Sequence, residues 1–291
     1  MTVFASQLGF PEAPVLLPDD SFLFVEMSPD KGCITHFSKD GSTRKVLATT
    51  GRPNGLARDR NGIIWIAETA QRAVLRMSGD GKCETFADAS HGEPFLFLND
   101  LAFAPDGDLY VTDSGVLIDE IVPGGVLVPN YRDLKFDGRI YRIDVRSGAV
   151  DIVDRGFHFT NGIAFGPDSA MYVTETLSGN IYRYACTDGA VTGRRELFGN
   201  VIEKFDPAVL QGPDGMKFGA DGNLYVAVFG QGDVTVLGRR GEVVRRIKTD
   251  GDHPSNLCFG RAGTQKIYVT EVSTGTVQVF DVGTDGFRLY D

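Results

Sequence analysis

Paired cysteines are missing from this sequence. Its four, Cys33, Cys83, Cys186 and Cys258, lie far apart with no Cys-x-x-Cys spacing. That argues against a structural zinc site and against a disulfide framework. Unpaired cysteines are expected as reduced thiols, and with them a cytoplasmic setting. Positive charge is also short. Lys and Arg total 29 against 39 Asp and Glu, giving a net charge of −10. A nucleic-acid partner would need a basic face, so none is expected. An acidic balance does suit a cation site. No apolar run reaches the ~18 residues of a membrane helix, so no membrane partner is expected. The opening MTVFASQLGFPEAPVLL has no cationic stretch before its apolar residues and is not read as a secretion signal. Histidines are few: His36, His91, His158 and His253, with no metal-ligand pair at short spacing. Only His253, just ahead of a repeat, is placed to reach a channel. No GxSxG elbow, GxGxxG loop or Walker pattern occurs, which removes the serine-hydrolase and nucleotide signatures. No long helical pattern with caps is present either.

Turn residues and repetition are abundant. Gly contributes 36 residues and Pro 13. Six segments share one plan: FPEAPVLLPDDSFLFVEM from Phe10, RPNGLARDRNGIIWIAET from Arg52, FLNDLAFAPDGDLYVTDS from Phe97, FTNGIAFGPDSAMYVTET from Phe159, GPDGMKFGADGNLYVAVF from Gly212 and PSNLCFGRAGTQKIYVTEV from Pro254. Each is a short apolar strand, a tight turn such as Pro-Asp-Gly, and a strand rich in Tyr, Val, Ile or Trp. The spacing is strict. Glu12 to Glu26, Asn54 to Glu68, Asn99 to Asp113, Asn161 to Glu175 and Asp214 to Val228 are 14 residues each, and Asn256 to Glu271 is 15. Further strand candidates lie between the segments, among them GRIYRIDVRSGAVDIV, NIYRYACTDGAV and DVTVLGRRGEVVRRI. Six units of about four strands predict an all-β fold, a six-bladed β-propeller with a central channel, as a single domain over 1–291. Two separate sandwiches fit the even spacing poorly. Closure of the ring requires the residues before Phe10 to pair with the last blade.

In a propeller the first strand of each blade lines the channel, and its first residue lies at one mouth. The equivalent positions here are Glu12, Asn54, Asn99, Asn161, Asp214 and Asn256. All six carry side-chain oxygen. Asn and Asp cap turns well, which accounts for part of the set. It does not account for Glu12, nor for two carboxylates facing one narrow channel, where like charges repel. A bound cation resolves that conflict. Oxygen ligands without His or Cys suit Ca²⁺ best, then Mg²⁺ or Mn²⁺. Glu12, held between Pro11 and Pro14, is therefore expected as a metal ligand. The acidic residues closing the second strands, Glu26, Glu68, Asp113, Glu175 and Glu271, are expected to bond neighbouring backbone amides instead.

With Glu12 inside PEAP, LND at Leu98 to Asp100, TNGIAFGPD at Thr160 to Asp168 and PDGM at Pro213 to Met216, the chain resembles the senescence marker protein, gluconolactonase and luciferin-regenerating-enzyme family, also called regucalcin-like. The resemblance covers nearly the whole chain. It implies one divalent metal in the channel, Ca²⁺ first and Mn²⁺, Zn²⁺ or Mg²⁺ as alternatives, on ligands matching Glu12, Asn161 and Asp214. Asn99 matches a fourth position, which contacts metal or substrate. Many members hydrolyse lactones, and related propellers hydrolyse organophosphates. Members acting on aldonolactones commonly carry Arg two residues before the Asn matching Asn99; here that residue is Phe97. An apolar ring in place of an arginine fork leaves room for a less polar lactone or ester beside a sugar-derived one.

The expected function is thus a metal-dependent lactonase acting on a small-molecule lactone or ester, as a monomer or small homo-oligomer. Asp214 is the expected general base as well as a ligand. Asn99, Phe97, Asn54 and Asn256 are the expected substrate contacts, with Phe95 placed on the same wall or in the core. An insertion from Gly115 to Gly138 is either a cover for the channel mouth or a plain connection. A metal-dependent phosphotriesterase and a non-catalytic calcium-binding or protein-interaction propeller remain as other functions of such a scaffold.

Overall fold

A computed structural model describes residues 1–288. Almost all regular structure is β. Six four-stranded antiparallel sheets follow one another as the blades of a propeller. Their inner strands are Pro11–Leu16, Pro53–Arg58, Leu98–Phe103, Thr160–Phe165, Gly212–Phe218 and Pro254–Phe259. Each inner strand packs against the next, and the sixth returns to the first, so the six enclose a central channel.

Within a blade the same turn recurs. Leu17, Asp59, Ala104, Gly166 and Gly219 each bond the residue four positions on, closing the hairpin between inner and second strand. The turn aspartates Asp19, Asp59, Asp106, Asp168 and Asp221 accept the backbone N–H two residues ahead. This local Asx bond is why Pro-Asp-Gly-like sequences turn here.

Between blades, the aromatic of one second strand meets a phenylalanine ending the next inner strand. The ring centroids are 6.0 Å apart for Trp65 and Phe103, 5.3 Å for Tyr110 and Phe165, 4.9 Å for Tyr172 and Phe218, and 5.2 Å for Tyr225 and Phe259. All four pairs are edge-to-face, each adding about 0.5–1.5 kcal/mol beyond area burial. Hydroxyls just past the second strands complete the seams. Thr69 donates to the Leu98 carbonyl, Ser114 to Thr160 and Thr176 to Pro213.

The ring closes as the sequence requires. Thr2–Ala5 pairs antiparallel with Thr276–Asp281 and completes the sixth blade. One expectation needs correction. In the fourth blade, CTDGAV is not the fourth strand but a small side hairpin, Cys186–Thr187 with Ala190–Val191, and Glu196–Asn200 takes the outer place. All four cysteines are free. No helix among the described residues is long and apolar enough to cross a membrane.

Candidate active site

Every inner strand breaks register at the position singled out by the repeat. The shifts fall between Glu12 and Val15, Pro53 and Leu56, Leu98 and Leu101, Thr160 and Ile163, Pro213 and Met216, and Pro254 and Asn256. A bulge re-aims a side chain away from the regular pleat. Here it frees Glu12, Asn54, Asn99, Asn161 and Asp214 from the interblade seams and lets them line a cavity of about 280 Å³ at one channel mouth. Asn256 is different. It does not line this cavity; its Oδ1 accepts the Leu257 N–H at 2.8 Å and its amide stabilises the Glu12 carboxylate from behind.

The second-strand acids set this rim in place. Asp113 accepts the N–H groups of Leu96 and Phe97, at 2.8 and 2.9 Å, and that of Gly115. Glu26 accepts Gly9 N–H, Glu68 accepts Arg52 N–H, Glu175 accepts His158 N–H and Glu271 accepts His253 N–H. Each carboxylate thus fixes the backbone two to three residues ahead of a rim residue. His253 itself packs at a tilt on Phe229, which lines the cavity, at 4.4 Å between centroids.

The floor of the cavity is electrostatically costly. Glu12 is buried, and burial pushes its pKa to about 7, with the Asp100 charge adding to the rise; the Ala13 N–H, Asn256 and Ser255 oppose it. Asp214 is pushed well above the carboxylate range, first by burial, then by the charges of Glu12 and Asp100, against stabilisation from Asn161 and the Gly215 N–H. Asp100 is raised by burial as well, with Lys217 and the Leu101 and Ile163 amides pulling it down. Three carboxylates therefore share one poorly solvated channel.

The amides are oriented to add oxygen to this floor. Asn99 Nδ2 donates to Ser114 Oγ at 3.1 Å, and Asn161 Nδ2 donates to Thr176 Oγ1 at 3.2 Å. These bonds leave the carbonyl ends of Asn99 and Asn161 as acceptors, while the Asn161 amide also stabilises Asp214. Two carboxylates and two such amides form an all-oxygen donor set whose crowded negative charge a dication would relieve. The residues fit a hard divalent ion such as Ca²⁺.

The walls are apolar. Phe97 packs edge-to-face on Phe159 at 5.7 Å, and Phe136 packs on Phe159 at 5.9 Å. The insertion folds over the mouth through a short helix, Ile118–Ile121, and two single turns. Ile118, Ile121 and Leu127 line the cavity, while Tyr131 Oη and Arg132 both donate to the Val209 carbonyl and pin the insertion down. It is a wall of the site, not a plain connection. Phe95 faces the core and packs on Tyr141 at 4.8 Å.

The family description SMP-30/Gluconolactonase/LRE-like region matches residues 10–273. The chain belongs to this family. Among its relatives, a gluconolactonase of Zymomonas mobilis is 26% identical over 286 residues, covering 92% of this chain and 78% of the relative. The diisopropyl-fluorophosphatase of Loligo vulgaris is 29% identical over 251 residues, covering 82% and 75%. A crystal structure of regucalcin from Agrobacterium tumefaciens, described as a calcium-binding protein, superposes with a TM-score of 0.76 at 18% identity, covering 98% of this chain and 96% of that one. At that identity the likeness establishes the fold.

Two residues of the site escaped the sequence reading. Asp100 directly follows a rim residue, where the other blades place Ala13, Gly55, Gly162, Gly215 and Leu257. Arg52 stands two residues before Asn54, in register with Phe10, Phe97 and Phe159, and lines the cavity with them. Aligning the residues on either side of the rim set would have found both.

Proposed function

We propose that the protein is a divalent-metal-dependent lactonase, with Glu12, Asn99, Asn161 and Asp214 as metal ligands and, as substrate, a lactone or ester with an apolar part that packs on the phenylalanine wall. The observation that carries this is the convergence of the buried Glu12, the half-buried Asp214 and two amides, Asn99 and Asn161, in an apolar-walled cavity. The gluconolactonase relative supports the reaction class, and the calcium-binding neighbour supports Ca²⁺ as the ion.

An ion in this place supplies a Lewis acid for the acyl oxygen and makes a nearby water more acidic. Asp214 takes the proton of the attacking water on a carboxylate oxygen as the oxygen of that water bonds to the acyl carbon. The acyl C–O bond of the ring then breaks. Asp214 returns its proton to the departing alkoxide, so lactone and water become one hydroxy acid and the carboxylate is restored. Glu12 stays ionised and balances charge. Asn99 orients the acyl group, and Asn54 contacts the substrate beside it. Asn256 positions Glu12 from behind. Phe97, Phe159 and the insertion hold the apolar part of the substrate and keep bulk water out.

Asp214→Asn tests this. The variant keeps an oxygen ligand and loses the base. Turnover should fall about 10²–10⁴-fold with an unchanged circular dichroism spectrum. Near-normal turnover in folded, metal-loaded variant would remove Asp214 from the role. Cleavage of an organophosphorus ester or fluoride is the second reading, favoured by the 29% identity to the Loligo enzyme. A matched substrate panel separates the two.

A further inference from the structure

The ring of residues two positions ahead of the rim holds three phenylalanines and one charge within the cavity wall: Phe10, Phe97, Phe159 and Arg52. The backbone of Arg52 is anchored, its N–H donating to Glu68. Its guanidinium is not. Nε is buried with no hydrogen-bond partner, and the side chain forms no ion pair among the described residues. The charges that act on it, Asp119 of the insertion and Glu68, do so from beyond contact distance. A guanidinium stays charged at neutral pH and presents a rigid fork of donors. Burying part of it unpaired costs free energy that an anionic partner in the same cavity would offset.

The charge balance of the cavity points the same way. A dication among Glu12 and Asp214 neutralises those two carboxylates. Asp100 feels the opposing charge of Lys217 on the neighbouring inner strand. Arg52 is then the positive charge of the cavity wall without a direct partner among the described residues, since Asp119 and Glu68 act on it only at a distance. It lines the cavity beside Asn54, where it can meet a substituent of the substrate.

We infer that Arg52 makes the site selective for an anionic substrate: a lactone carrying a carboxylate on its ring, gripped by the guanidinium fork while the apolar ring packs on the phenylalanines. This deepens the lactonase reading and rests on it for the reaction, though not for the binding. It also relocates the arginine that sugar-lactone relatives are expected to carry beside Asn99. Here the cation stands one blade earlier, beside Asn54.

The test uses the full chain loaded with Ca²⁺. The substrates are 5-oxotetrahydrofuran-2-carboxylate and its neutral carboxamide. The binding probes are the corresponding lactams, 5-oxopyrrolidine-2-carboxylate and its carboxamide, which resist ring opening. Wild-type protein should prefer the carboxylate in kcat/KM and in calorimetric binding. Arg52→Met should lower the carboxylate-to-carboxamide ratio about 10- to 100-fold in both readouts, the range expected for a lost charge-assisted hydrogen-bond pair. Arg52→Lys should restore part of the ratio, and it replaces Arg52→Met as the test if that variant does not fold. Hydrolysis of both lactones with the same ratio in wild type and Arg52→Met would overturn the inference and leave the lactonase reading intact. Arg52-dependent binding of the lactam carboxylate without hydrolysis of either lactone would sustain the inference and sink the reaction.

Discussion

Gly215 lies so close to the amide of Asn256 that a Cβ on Gly215 would overlap it. The inner strands of the fifth and sixth blades therefore touch directly behind Asp214 and Glu12. Glycines do the same work at Gly162, against the Asp214 carbonyl, and at Gly55, where a Cβ would stand 2.7 Å from the Asn99 carbonyl oxygen. In these three blades the missing side chain after the rim residue lets the next inner strand approach closely.

Gly215→Ala should accordingly displace Asn256 from Glu12. We expect a stability loss of about 1–3 kcal/mol from overpacking, with a parallel loss of Ca²⁺ affinity. Urea denaturation and calorimetric titration read the two. Gly79→Ala is the control, since nothing lies within 4 Å of a Cβ there. Equal effects from the two substitutions would contradict the convergence account.

Asp113 supports the rim from outside the cavity, with its carboxylate on the Leu96, Phe97 and Gly115 amides. Asp113→Ala strips two buried donors and one partly buried donor at once. Bonds to charged groups contribute about 1.5–3 kcal/mol each, so a loss of at least about 3 kcal/mol is expected. Denaturant unfolding checks it. A loss below about 1 kcal/mol would mean that the amides find other partners.

The propeller was legible because its repeat is strict: the 14-residue step from rim residue to the end of the second strand recurs in five segments, four of them ending on an acid. The rim set was legible for the same reason. The fourth strand of the fourth blade was not, because Asp188-Gly189, both at positive φ, forms a hairpin turn of its own before Glu196. The insertion carried no periodicity to read; its burial comes from contacts with Phe97, Phe159 and Leu210, which are distant in sequence. Asn256 shares the residue type of the rim but not its outlook, because the register break in the sixth blade falls before it rather than after it.

The raised pKa of Glu12 has a definite sign. Its unfolded value is the ordinary 4.5, and its folded value in the absence of metal is about 7. Between these the folded state binds the extra proton. Stability is full below 4.5 and is lost as pH rises through about 7. The loss is on the order of 3 kcal/mol, and Asp214, raised in the same direction, adds to it. Chelator-treated protein should therefore melt at lower temperature at pH 8 than at pH 5.5, and added Ca²⁺ should close the gap. A melting temperature that rises with pH in the chelated protein would refute this.

Phe97 builds the wall with Phe159. Phe97→Leu leaves the floor untouched and thins the wall. KM for an apolar lactone should rise about 3- to 10-fold, the effect of a small change in a hydrophobic pocket, with kcat nearly constant. Steady-state kinetics on a matched polar and apolar pair decides it. A fall in kcat with constant KM would assign Phe97 to the chemistry instead.

The most direct measurement is proton release from a lactone panel by chelator-treated protein, with Ca²⁺, Mn²⁺, Zn²⁺ and Mg²⁺ returned one at a time. Turnover absent after chelation and restored by a divalent ion, Ca²⁺ first, is the predicted result. Full lactonase activity in metal-free protein, or none with any ion in folded protein that binds metal, would contradict a metal-dependent lactonase at this channel mouth.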